Sequence, residues 1–323
     1  MLDLVIVGAG PAGLSCALAA HNHHLDYQIL EKGNIVNAII NFPVNMTFFS
    51  TADQLEIGGI PFTSAGFRPT RQEVVKYYHN LATHFGFEVR PDFCVDRIER
   101  KNGHFEISAV HRDKSHKIES RKVVLATGFY DNPNRINVPG EEQGHVSHYY
   151  HEAFPFFGRN VVIVGAKNSA VEAALELFRN GAHVTMIHRR PEIKDSVKYW
   201  ILPDMLNRIK EGSIKAYFNA EVTRIMPGRV EIIQNGTDLE IPADAVFLLT
   251  GYHPDTGLFD SAGIQYDPES LEPEIDLKTH ETNVPGLYIA GSLVAGKNHN
   301  RVFIENSREH GEKIVQDIVS NPY

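Results

Sequence analysis

Two runs of four apolar residues, Leu4-Val5-Ile6-Val7 and Val161-Val162-Ile163-Val164, each break at once into a turn and then into a helix-like stretch. A continuous apolar run of that length, bounded by turn residues, reads as a strand covered on both faces in a parallel sheet. After the first run a helix is predicted over about Pro11 to Ala20. After the second it is predicted over about Ser169 to Arg179, where Ala170, Ala173, Ala174 and Leu177 recur on one face. Short strands with turn signals follow in each half. The first half has Cys94–Ile98, the turn Lys101-Asn102-Gly103 and Phe105–Ile107. The second has Glu221–Ile225, Pro227-Gly228, Val230–Ile233 and Asn235-Gly236. Each half closes on an apolar strand ending in Thr-Gly, at Val123–Gly128 and Val246–Gly251. This is the layout of an α/β chain with two nested Rossmann-like units. The crossings are expected just after Gly128 and Gly251. Residues 1–128 and 252–323 then form one discontinuous domain and residues 129–251 the other.

The two turns carry candidate chemistry. Gly8-Ala9-Gly10-Pro11-Ala12-Gly13 has the full glycine spacing that lets a backbone approach a pyrophosphate at a helix N-terminus. Gly165-Ala166-Lys167-Asn168-Ser169-Ala170 keeps only the first glycine. Twenty-three residues beyond Gly8 lies Glu31; twenty-three beyond Gly165 lies His188, followed by Arg189 and Arg190. An acid at the end of that strand accepts hydrogen bonds from a ribose diol, whereas arginines there accept a 2′-phosphate. The first unit is therefore expected to suit FAD and the second NADPH, with Arg189 the stronger of the two arginine candidates. A degenerate second unit that binds nothing is the competing reading of Lys167 and Ala170.

Composition narrows the class. With 42% hydrophobic and 22% charged residues, the 323-residue chain is ordinary for a globular protein large enough for two cores. A net charge of −9 offers no basic surplus to meet nucleic-acid phosphates. No apolar run approaches the roughly 18 residues of a membrane span, and Met1 leads directly into strand-like sequence, with no secretory leader expected. Cys16 and Cys94 make no disulfide framework. A cytoplasmic protein is expected. Both cysteines read as structural, Cys16 buried on the first helix, and the cluster His21, His23 and His24 reads as solvated, with no metal site.

The order of Gly8–Gly13, Ala126-Thr127-Gly128, Asn168-Ser169-Ala170-Val171-Glu172 and His188-Arg189-Arg190 resembles thioredoxin-reductase-type flavoproteins. Longer strings are similar to the YpdA, or bacillithiol disulfide reductase-like, branch. They include Glu31–Asn37, Thr47-Phe48-Phe49-Ser50, Leu55–Gly58, Trp200–Pro203, Thr250–Asp255 and Phe303–Asn306. The resemblance spans essentially the whole chain. It implies FAD and NADPH as cofactors, a homodimer, and a low-molecular-weight disulfide as the acceptor. Three departures stand out. No Cys-x-x-Cys lies between the fingerprints, where Ser147-His148-Tyr149-Tyr150-His151 stands instead. Ala12 occupies the position where bacillithiol reductases carry a cysteine. Gly291-Ser292 replaces the usual Gly-Asp, whose acid holds the ribityl chain, and a serine hydroxyl does part of that work.

The expected cofactor contacts are Gly8, Gly10, Pro11, Ala12, Gly13, Glu31, Lys32, Val95, Ala126, Thr127, Gly128, Gly291, Ser292 and Ile304 for FAD. For NADPH they are Gly165, Lys167, Asn168, Ser169, His188, Arg189, Arg190 and Gly251. No catalytic residue is assigned. His148 to His151 read first as a polar, aromatic connection between the domains, and second as groups near the flavin face. The alternative functions are a ferredoxin or flavodoxin reductase, which needs no cysteine, and a redox sensor with little turnover.

Overall fold

The computed structural model describes residues 1–194, 196–298 and 301–321. In chain order its elements are β1 (Leu2–Val7), α1 (Pro11–Asn22), β2 (Tyr27–Leu30), α2 (Asn37–Ile40), α3 (Arg71–Phe85), β3 (Val89–Arg90), β4 (Cys94–Lys101), β5 (His104–His111) and β6 (Lys114–Leu125). There follow β7 (Val146–Ser147), β8 (Asn160–Val164), α4 (Asn168–Arg179), β9 (His183–His188), α5 (Leu202–Lys210), β10 (Lys215–Phe218), β11 (Ala220–Met226), β12 (Gly228–Gln234), β13 (Thr237–Ala243) and β14 (Ala245–Leu248). The chain ends with α6 (Thr256–Ala262), β15 (Leu287–Ile289), α7 (Ile304–Ser307) and α8 (His310–Ser320). The fold is an α/β fold with parallel sheets at the centre of each unit, as expected.

Two compact units result. One comprises Met1–Ile40, Met46–Asn132 and Tyr252–Tyr323; the other comprises Asn41–Asn45 and Pro133–Gly251. The first crossing falls after Asn132 and not directly after Gly128. Asn132 is tied to its own unit on both sides, its N–H donating to Phe129 O and its carbonyl accepting from His253 N–H at 2.9 Å. Asn41–Asn45 join the second unit, where Val44 N–H donates to His151 O. Sequence pattern misses this excursion because five residues carry no periodicity of their own.

In the first unit β3-β2-β1-β6 run parallel, and beyond β1 the strand β6 serves two further partners. Its early part pairs antiparallel with β5, and Val123–Leu125 pair in parallel with Leu287–Ile289 of β15. The C-terminal ends of β1, β6 and β15 therefore lie side by side. In the second unit β10-β9-β8-β14-β7 form a parallel sheet, and β11-β12-β13 an antiparallel one. The all-apolar run of β8 now has its reason. Val161 and Ile163 pack with Ala170, Ala173, Ala174 and Leu177 of α4, while Val162 packs with Val230, Ile232 and Ile241 of the antiparallel sheet. Each such fully buried valine, isoleucine or leucine side chain stabilises by about 1.5–3 kcal/mol.

Candidate functional site

In the first unit the turn after β1 is shaped by backbone contact. Gly8 has φ +106, and a Cβ there would lie 2.6 Å from Ala126 O. A Cβ on Gly13 would lie 2.0 Å from Gly8 O, so α1 meets the turn too closely for any side chain. Gly10 differs: an added Cβ would meet nothing within 4 Å. The backbone there faces open space, and α1 starts at Pro11 with no side chain capping its free N–H groups. A bare, uncapped helix N-terminus fits a phosphate, which would accept those N–H groups.

Glu31 follows β2 and is 7% exposed. Its Oε2 accepts the Ala9 N–H at 2.7 Å and its Oε1 the Gly33 N–H at 2.8 Å. Burial raises its pKa, the two backbone bonds act against that, and Asp131 and Lys32 act in opposite senses. Each oxygen keeps a second acceptor site, which fits a ribose diol. Lys32 is engaged by Asp131 at 2.9 Å. Val95 is half-buried against the core cluster that contains Leu30 and Phe93.

Three stretches far apart in sequence meet this turn. Ala126 touches Gly8; a Cβ on Gly128 would lie 3.8 Å from Ser292 Oγ; a Cβ on Gly291 would lie 2.8 Å from that of Ala12. Thr127 sits between Ala126 and Gly128 at the end of β6. Ile304 opens α7, which lies against α1 and the Gly291–Ala295 turn. The donor set and open backbone suit a dinucleotide and offer no nucleophile. Cys16 is 0% exposed, and burial pushes its thiol up to about 12, so it is no thiolate. Cys94 is exposed at the first residue of β4, the strand start at which the sequence placed it.

The second unit repeats the geometry with other side chains. Gly165 has φ +132, and a Cβ there would lie 2.4 Å from Leu249 O. Lys167 is exposed and extended at the N-cap of α4, which has no side-chain cap either. Ser169 is exposed beside it, and Ala170 is fully buried. Asn168 is engaged: its Oδ1 accepts the Lys198 N–H at 2.8 Å, while Lys198 Nζ pairs with Glu172 at 2.5 Å. Burial, then Arg190 and Arg189, lower the pKa of His188. Both arginines are exposed, and neither pairs with a carboxylate among the described residues. Gly251, at φ +93, lies by the Asn134 side chain.

The Ser147–His151 stretch is no mere connection. Val146–Ser147 form an edge strand on β14, and Tyr150 is buried in the second unit's core. His148 Nε2 lies 3.3 Å from Oε1 of the buried Glu141, which also takes the N–H groups of Ile136 and Asn137. Sequence reasoning underrated this segment because its apolar anchor, Tyr150, sits among polar residues. It missed Lys198 and the buried His280–His310 pair entirely, since each acts through a partner distant in sequence.

The family description "Pyridine nucleotide-disulphide oxidoreductase" matches residues 5–291. The bacilliredoxin reductase Bdr of Bacillus subtilis (strain 168) is 38% identical over 316 residues, spanning 97% of this chain and 96% of that protein. The solved bacillithiol disulfide reductase Bdr (YpdA) from Bacillus cereus superposes with a TM-score of 0.96 at 39% identity, covering 99% of each chain. A thioredoxin reductase from T. acidophilum shares the fold, with a TM-score of 0.78 at 25% identity over 99% of this chain and 98% of that one. The resemblance seen in the sequence is thus borne out. The chain belongs to the pyridine nucleotide-disulphide oxidoreductases, enzymes that work with a flavin and a nicotinamide nucleotide.

Proposed function

We propose that the first unit binds FAD, that the second binds NADPH, and that the enzyme reduces a low-molecular-weight disulfide of the bacillithiol disulfide type. The observation that carries this reading is the 39% identity, over 99% of both chains, to a bacillithiol disulfide reductase. The contrast between Glu31 and the Arg189-Arg190 pair supports the division of nucleotides.

The chain's own residues do the following. Gly8, Gly10 and Gly13 hold the backbone at pyrophosphate distance, and Pro11 and Ala12 begin the helix that faces it. Glu31 accepts the adenosine ribose hydroxyls, flanked by Lys32 and Val95. Ala126, Thr127, Gly128, Gly291, Ser292 and Ile304 line the flavin end, with the Ser292 hydroxyl toward the ribityl chain. Gly165, Lys167, Ser169 and Gly251 receive the NADPH pyrophosphate side. Asn168 holds the Lys198 segment against α4, and His188 leads to the arginines that take the 2′-phosphate. Bound flavin supplies acceptance of hydride from nicotinamide and an electron pair for the disulfide. The balance is one NADPH and one proton consumed, one S–S bond broken, two thiols and one NADP⁺ formed. With Cys16 buried and Cys94 distant in sequence from both fingerprints, no cysteine relay takes part.

A second reading is favoured by one fact: the Bacillus subtilis relative is named a bacilliredoxin reductase, which makes a small thiol–disulfide protein the competing acceptor. A ferredoxin acceptor fits less well, because electron carriers of that kind are acidic and this chain carries −9. NADPH oxidation is to be followed with bacillithiol disulfide, glutathione disulfide, oxidised bacilliredoxin and ferredoxin. Saturable turnover with bacillithiol disulfide and negligible turnover with glutathione disulfide is the expected result. Turnover with ferredoxin alone would sink the proposal. The two free thiols fit a reducing, cytoplasmic setting. The homodimer that the resemblance implies is checked by light scattering.

A further inference from the structure

The turn after β15 is held by a side chain with no role in the reading above. The parallel ladder ends where Ala290 N–H donates to Leu125 O at 2.8 Å. Gly291 then turns left-handed, at φ +74, a conformation glycine adopts without strain. Its own N–H is buried and donates to Nδ1 of His310 at 3.2 Å. His310 opens α8 and is 7% exposed. A ring nitrogen that accepts carries no proton, so this ring is neutral with its hydrogen on Nε2. Its surroundings favour that state. The ring lies against the buried His280 ring, with centroids 4.1 Å apart. Burial, then His280 and Lys313, push His310 down to about 3.

We infer that His310 is a positioning residue for the flavin. Its Nδ1 locks the Gly291 turn, and through it both the Ser292 hydroxyl beside Gly128 and the contact of Gly291 with Ala12. The inference rests on the assignment of Ser292 to the flavin made above. Without the acceptor the buried N–H has no partner. The turn of the flavin-free protein then relaxes, and binding must first re-form it.

Flavin-free protein is titrated with FAD by fluorescence quenching, and the visible circular dichroism of the bound flavin is recorded. The variants are His310→Phe, His310→Asn, Ser292→Ala, and Ser292→Ala with His310→Phe. Phenylalanine keeps a ring without an acceptor; asparagine places Oδ1 where Nδ1 stood. The expected Kd for FAD is roughly tenfold weaker in His310→Phe, with an altered dichroism, and within about threefold of wild type in His310→Asn. The double variant is expected to bind no more weakly than the weaker single one. If His310→Phe does not fold, His310→Gln replaces it with the same expectation, because its acceptor reaches the Nε2 position instead. Wild-type affinity and dichroism in the acceptor-less variant, equal losses with asparagine and phenylalanine, or additive losses in the double variant would each overturn the role of His310. Wild-type FAD affinity in Ser292→Ala would overturn the Ser292 assignment itself, which separates the two failures.

Discussion

Position for position, Gly8, Gly10, Gly13 and Glu31 of the first unit correspond to Gly165, Lys167, Ala170 and His188 of the second. The first position is glycine in both, because φ is positive in both and a Cβ would strike a carbonyl oxygen of the neighbouring strand's end. The third position differs in the room the turn leaves for a side chain. Ala170 is accommodated with its Cβ fully buried, while Gly13 leaves no room for one. The second position differs in chemistry: bare backbone at Gly10, an exposed ammonium at Lys167. On the proposed assignment of nucleotides, the first unit relies on close approach and the second on charge. Close approach suits a nucleotide that stays bound. Exposed cations suit one that must come and go with each turnover.

The largest effect that tests this contrast is at the third position. Gly13→Ala should abolish flavin binding in the purified protein, read as the ratio of flavin to protein absorbance, and overpacking should cost about 1–3 kcal/mol of stability. The mirror change, Ala170→Gly, should cost about 1 kcal/mol from helix propensity and leave NADPH affinity within about twofold. Full flavin content in Gly13→Ala would break the comparison.

A smaller effect concerns the strand ends. Replacing Arg189 and Arg190 together by alanine should remove most of the preference for NADPH over NADH in flavin reduction. Charge-assisted hydrogen bonds to a 2′-phosphate are worth about 1.5–3 kcal/mol, or roughly 10- to 150-fold. Glu31→Arg should instead lower flavin content and leave that preference alone. Equal wild-type rates with both nucleotides would reduce the arginines to surface charge.

The smallest effect is on the helices. Cys16 of α1 corresponds to Ala173 of α4, and both are buried. Cys16→Ala should therefore cost no more than about 1–2 kcal/mol by thermal unfolding, with NADPH-dependent disulfide reduction unchanged. Loss of disulfide reduction with intact flavin reduction would make Cys16 a displaced nucleophile and end the symmetry.

Much of the fold was legible beforehand for local reasons. Apolar runs such as Val161–Val164 announce strands with both faces covered, and a glycine followed by a small-residue helix announces the turn. The sequence therefore determined two strand–turn–helix units, the acid at Glu31 and the arginines at 189 and 190, and the absence of a dithiol. Each of those is a property of residues next to one another or of composition alone. Only the tertiary structure decided that Ala12 meets Gly291, that Ser292 meets Gly128, and that His310 receives the Gly291 N–H. It alone showed Tyr150 buried in a core, Asn168 bound to Lys198, and Asn41–Asn45 belonging to the second unit. These links join segments brought together by the parallel register of β6 with β1 and β15, or by a loop with no periodicity. Parallel partners are joined by long crossovers, so no local pattern names which strand lies beside which.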